Sequence, residues 1–413
     1  MKKKNQKPNT EKPEIFAVNK NKDQQGVTRR DFVALGSALA AGAAAGAMSS
    51  CSDPTSSKNK KESERKIRIH PSHYSSVKSV VFSPDGTLLA SGSSDNQMKL
   101  WRMPDGNLLK SIGNYNTVLS VTFSRDGKFL ASGSDDQTIK LYSLPDGSLL
   151  KTWNGQSGGV NSVAFNPDGT MLASACNSGY IKLWSLPDGN LLKTSGFLGS
   201  VVSVDISSDG SILASAAGDF NVTLWSLPSL SVLKKLTGHN IYVKSIAFSR
   251  DGTMLVSGDG GTVKLRRIPD GTLLKTLSGQ SSTVAFSPDS TILASGGGTL
   301  NEGSINLWRA PNGDLLKKIA GKFSIINSIA FSSDNTMLAS GGDDGIIRLW
   351  KIASGELNKA LADPACGTVE IELDDIGYSG SGCTCNSVCT CDKVCTCDSV
   401  GGSSCGGSYW YPN

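Results

Sequence analysis

The residues of this 413-residue chain best suited to chemistry are cysteines crowded into its last stretch. Cys383-Thr-Cys385, Cys389-Thr-Cys391 and Cys395-Thr-Cys397 open three successive hexapeptide copies, and Cys405 and Tyr409-Trp410-Tyr411 follow. On an extended segment Cys-x-Cys points both sulfurs to one face, so a pair can share a soft metal, copper(I) or zinc. Outside a reducing compartment disulfides are the simpler expectation, although partners two residues apart bridge poorly with each other. Seven is an odd count, so one thiol is left over or pairs between chains. Enzymatic thioether cross-linking of a compact Cys/Asp repeat and an inert tail are the other readings. The residues alone leave all four open.

Elsewhere the chemistry is sparse. The three histidines, His70, His73 and His239, each stand just before an apolar strand-like run. There is no His-Glu-x-x-His and no glycine loop placed to cradle phosphate. The many aspartates fall in Asp-Gly turns, where turn chemistry accounts for them. Charge divides unevenly: residues 1–50 carry nine Lys/Arg and four Asp/Glu, and the remainder balances at 32 of each. A neutral body gives no basis for binding a phosphate backbone, so no nucleic-acid partner is expected. These features predict a binding protein and not an enzyme, with no cofactor unless the tail holds zinc or copper.

The elements that must position any such surface repeat along the chain. A unit of 41 or 42 residues recurs through residues 66–361, its third-strand aromatic falling at Trp101, Tyr142, Trp184, Trp225, Trp308 and Trp350, with Arg266 in the fifth copy. Each unit reads as four short strands. The first ends at Phe82, Phe123, Phe165, Ile206, Phe248, Phe286 or Phe331, and a turn such as Ser83-Pro84-Asp85-Gly86 follows. Pro presets φ there, Asp caps the turn, and Gly takes the left-handed conformation. A Leu-Ala-Ser-Gly strand, an Ile-Lys-Leu-Trp strand and an outer strand such as Leu149–Thr152 complete the unit. A period of this length calls for the blade of a propeller.

These residues resemble WD40 repeats over about 70% of the chain. The resemblance implies an all-β, seven-bladed β-propeller of four-stranded antiparallel blades. It also implies a hydrogen-bonded tetrad of His, Ser, Asp and Trp within a blade. Only the first copy aligns with all four, as His73, Ser91, Asp95 and Trp101; the fifth keeps His239 and Ser257 but has a turn one residue short and Arg266 for Trp. Most blades are therefore expected to rely on packing and strand pairing alone, with the fifth and sixth loosest. The sixth loses three residues before its first strand and gains some in Gly297–Gly303, which reads as a specialised loop or as drift. Eight outer-strand candidates exist for seven blades. The family pattern favours Lys66–His70 completing the last blade, with 357–361 as competitor or fifth strand.

The resemblance makes the loops before first strands, and those between second and third strands, the docking face. Projected onto the unit, that face collects Tyr74, Tyr115, Tyr180, Phe197, Phe220, Tyr242 and Phe323, the ring types that interfaces use as anchors. A lysine recurs near the end of each outer strand: Lys110, Lys151, Lys193, Lys234, Lys275, Lys317 and Lys359. Edge protection against sheet-to-sheet association explains them better than anion binding does. Cys176 reads as a single buried thiol in a blade.

Before the repeats, Thr28-Arg29-Arg30-Asp31-Phe32-Val33 resembles a twin-arginine export motif ahead of an Ala/Gly-rich run. Met48-Ser49-Ser50-Cys51 resembles a bacterial lipobox, which implies lipidation at Cys51. The expected organisation is a leader over 1–50, a tether over 51–65 that lacks hydrophobic periodicity, the propeller over 66–361, a linker over 362–382 and a Cys-rich tail over 383–413. The predicted function is an extracytoplasmic scaffold for a protein or peptide partner, exported folded and touching the membrane only through its lipid. The rival makes the tail the working part, binding a soft metal, undergoing redox chemistry or becoming cross-linked.

Overall fold

The computed structural model describes residues 66–69, 71–114, 116–154, 158–321, 323–366 and 369–372. The chain separates into two units, 1–63 and 64–413, and every described residue belongs to the second. The leader, the tether with Cys51, Tyr115, and all seven tail cysteines lie outside the described residues.

Each repeat forms one four-stranded antiparallel sheet in simple sequential order, giving seven sheets. The first blade shows the plan: Val77–Phe82, Leu88–Ser93, Gln97–Arg102 and Asn107–Gly113. Its second strand is buried throughout and its fourth is mainly exposed, as expected of sheets stacked side by side with the outer strand on the rim. The apolar core follows from that stacking. Seven separate clusters form among the described residues, and each is built from two neighbouring blades. A blade therefore buries its faces only against its neighbours.

Three devices join the blades. The glycine of Leu-Ala-Ser-Gly permits close approach: a Cβ on Gly92, Gly133 or Gly341 would stand 2.4 to 2.7 Å from a valine methyl of the next first strand. A serine of six of the seven first strands accepts a backbone N–H from the adjacent blade, as Val121 N to Ser79 Oγ at 3.1 Å and Val80 N to Ser328 Oγ at 3.0 Å; the sixth has Thr283 at that position. The outer-strand lysines reach sideways and donate to turn carbonyls of the following blade. Lys110 bonds Gly147 O at 3.0 Å, Lys234 bonds Asp270 O at 2.5 Å, and Lys359 bonds Asp105 O. Five of the seven repeat lysines make such bonds, so they act as staples as well as edge charges.

Ring closure departs from the sequence expectation. Leu357–Leu361 pairs with Ile347–Lys351 and completes the seventh blade. Lys66–Ile69 instead pairs with Val369–Glu372 in a separate two-stranded ribbon. The seventh blade is thus finished by its own repeat, and the two segments that flank the repeats pair with each other instead. Closure from blade seven to blade one is reinforced by His73 N to Gly345 O at 2.9 Å, by Ser72 Oγ to Leu361 O at 2.6 Å, and by a buried Lys99–Asp363 ion pair at 2.7 Å.

The fifth and sixth blades differ from the rest in strand length, their first strands, Ser245–Phe248 and Thr283–Phe286, being the shortest of the seven. Their later strands lengthen: Leu273–Ser281, Ile292–Thr299 and Glu302–Arg309 are among the longest. The extra residues at Gly297–Gly303 continue a paired hairpin, with Thr299 opposite Glu302.

Candidate interaction face

The loops of the candidate face are carried by hydrogen-bonded strand ends. In the first blade His73 Nε2 meets Ser91 Oγ at 2.7 Å, Nδ1 meets Asp95 Oδ2 at 2.8 Å, and Trp101 Nε1 donates to Ser91 Oγ at 2.9 Å. Burial lowers the His73 pKa despite the nearby carboxylate. Burial acts to raise Asp95, but the His73 hydrogen bond and the backbone amides hold its carboxyl below the usual value.

Sequence reasoning missed a second network of this kind. In the fifth blade His239 meets Ser257 at 2.7 Å and Asp259 at 2.8 Å. Asp259 takes the aspartate role because the shortened turn still brings its carboxylate round to the imidazole. Against the effect of burial, His239 and the amides of Thr262 and Gly261 hold it at about 2. Blades three, four, six and seven keep the Trp-to-Ser half of the network, at 2.8 to 3.1 Å. Strand pairing and packing are therefore supplemented by this bond, contrary to the expectation.

Of the seven rings projected onto the docking face, four come together over blades three to five. Tyr180 and Phe197 stand edge to face at 5.9 Å, and Phe220 and Tyr242 at 4.8 Å. Gly199 and Gly218 lie between the two pairs, with Tyr242 beside Gly218 and Phe197 beside Gly179. Phe197 is 71% exposed, Tyr242 58% and Phe220 37%, while Tyr180 is half-buried beneath Phe197. Ile241 adds an exposed apolar side chain next to Tyr242. Phe220 holds a left-handed backbone, φ 62°, an uncommon conformation for a bulky residue that a free loop would relax.

Tyr74 is exposed but stands apart, its hydroxyl donating to the Ala365 carbonyl and its amide to Asp95 at 3.0 Å. Phe323 is a correction. It is 1% exposed, packs on Trp350, and has the Arg348 guanidinium over its face at 5.4 Å. The blade-six hairpin covers it: a Cβ on Gly303 would lie 2.3 Å from the ring. Phe323 therefore belongs to the core and offers no docking surface.

At the opposite end, the first turns surround an axial cavity of about 340 Å³. Asp205 faces it from the fourth blade, accepting Phe248 N at 2.7 Å and Ile206 N at 2.9 Å. Burial pushes its carboxyl up to about 6. Arg125 and Arg250 flank the cavity mouth. Among the described residues no three His, Cys, Asp or Glu side chains come together as metal ligands. Cys176 is buried, and burial raises its thiol pKa.

The seven radial sheets and their serine-anchored tryptophans define a WD40-type propeller. The chain matches the family model for the WD domain, G-beta repeat, at 64–102, 106–143, 147–185, 189–226, 230–266, 271–309 and 313–351, and it belongs to that family. A curated relative, WD repeat-containing protein SL1-17 of Schistosoma mansoni, is 40% identical over 78 residues. That match covers 19% of this chain and 23% of the relative, so the chain spans less than a quarter of the relative's length. Propellers of this family typically serve as protein-interaction scaffolds.

Proposed function

We propose that this protein is a non-catalytic scaffold that docks a protein or peptide partner on the face carrying Phe197, Phe220 and Tyr242, and that it does so outside the cytoplasm while tethered through a lipid on Cys51. The observation that carries the reading is the pair of edge-to-face aromatic couples side by side over blades three to five. Their outer rings are exposed on loops fixed by rigid strands. Rings already held by a neighbouring ring lose little side-chain freedom on binding, which is what makes an aromatic anchor effective. The export and anchoring part rests on Arg29, Arg30 and Cys51 in their order along the sequence.

The test of docking is capture of partners from a membrane extract by the wild-type chain and by a Phe197→Ala/Tyr242→Ala variant, with identification by mass spectrometry. A specific partner retained by the wild type and lost by the variant, at unchanged melting temperature, supports the reading. Equal capture by both, or no specific partner, contradicts it. Fractionation of a Cys51→Ala variant tests the anchor separately: the expected outcome is release from the membrane fraction.

A further inference from the structure

Where the outer strands of the fifth and sixth blades meet, the ring opens into a cleft of about 420 Å³. Its origin lies in the three residues missing before the sixth copy. Only Ser282 separates Leu273–Ser281 from Thr283–Phe286, whereas the other five joints between consecutive blades have four to eight residues. With so short a connection, no loop fills the groove. Gly279, at φ 154°, forms part of its wall, and a Cβ there would sit 2.8 Å from Asn306 Nδ2 and 3.7 Å from Trp308 Cζ2.

Two polar side chains in the cleft have no work within the fold. Asn306 is 5% exposed and Ser304 6%, both line the cleft, and neither side chain has a hydrogen-bond partner among the described residues. Their polar atoms stay open to the cleft, where the hydroxyls of a ligand can hydrogen-bond to them. Sister blades treat the Asn306 position differently. Lys99 there pairs with Asp363 at 2.7 Å, Lys140 bonds Asn114 Oδ1 at 2.6 Å, and Arg348 pairs with Asp344 at 2.7 Å. In blade six the cation is replaced by a neutral amide facing open space.

We propose that this cleft binds a small neutral saccharide, with Asn306 and Ser304 as its hydrogen-bonding residues and Trp308 as its apolar wall. The lining contains no carboxylate, and its one cation, Lys318, is exposed on the rim, so neither a cation nor a strongly charged anion finds a buried counter-charge. Carboxamides and a hydroxyl each donate and accept, which matches a ligand whose hydroxyls do both. The half-buried Gln280 adds a second carboxamide at the entrance. The volume falls within the range of small-molecule pockets, about 300–1,000 Å³.

The test uses the full chain with maltose, cellobiose and N,N′-diacetylchitobiose as probes, followed by saturation-transfer difference NMR and tryptophan fluorescence. Expected is saturable binding of at least one probe, weakened at least about tenfold in Asn306→Leu and in Ser304→Ala. Because the Asn306 amide has no partner to lose, Asn306→Leu should melt no lower than the wild type. If it melts lower or fails to fold, the amide is structural and the proposal falls. Absence of binding by all three probes, or equal affinity in Ser304→Ala, also overturns it.

Discussion

Asp205 stands where the other first strands place Val81, Thr122, Ala164, Ala247, Ala285 and Ala330, so a single carboxylate faces the axial channel at that level. Two backbone amides hold it, yet burial dominates and raises its pKa to about 6. A folded pKa above the unfolded 3.8 means the native state binds the proton more tightly. Its stabilising effect is full below pH 3.8 and lost as pH rises through about 6. Compared with Asp205→Ala by urea unfolding, the wild type should gain about 2–3 kcal/mol of relative stability between pH 7 and pH 4. A pH-independent difference would mean the carboxylate is freely hydrated. The anomaly is visible in the aligned copies as an acid in an apolar column, though only the structure shows which face it lines. Phe323 teaches the converse. It and Tyr242 occupy matching loops, and nothing in either loop's composition shows that a hairpin from the preceding blade will close over one ring and leave the other in water.

At the level of the blade, the repeated Phe, Pro-Asp-Gly and Ser-to-Trp signals made strand order and blade count legible, because each marks a turn or a buried contact that recurs in phase. Departures from the period were harder to interpret. The short turn before Asp259 hid the fifth network, and the extension at Gly297–Gly303 read as a loop or as drift where it continues a paired hairpin. Arg266 remains the weak element of blade five. It is buried, its Nε has no partner, and burial lowers its pKa. Leu255 opposes it across the ladder just as Leu89 opposes Trp101, and Ser257 is already set by His239 at the distance seen in the first blade. Arg266→Trp should complete the network and raise stability by about 1 kcal/mol, read as a higher melting temperature. A lower one would show that the guanidinium's bonds to Thr237 and Gly271 matter more than the indole.

The whole molecule holds together because no blade owns a core. Seven apolar clusters, a hoop of serine hydrogen bonds and lysine staples all run between neighbours, so the ring should unfold as a unit and the docking loops should stay fixed relative to one another. The point of closure was not legible in the sequence: Lys66–His70 and Leu357–Leu361 are equally strand-like, and only the pairing partner at Val369–Glu372 separates them. Hydrogen–deuterium exchange at the amides of Leu357–Leu361, in the full chain and after removal of residues 1–70, tests that closure most directly. The structure predicts slow exchange, in both, of those amides of this strand that face Ile347–Lys351. Rapid exchange of those amides in the full chain, or protection at Ile347–Lys351 that disappears with residues 1–70, would show that the amino-terminal strand closes the ring instead.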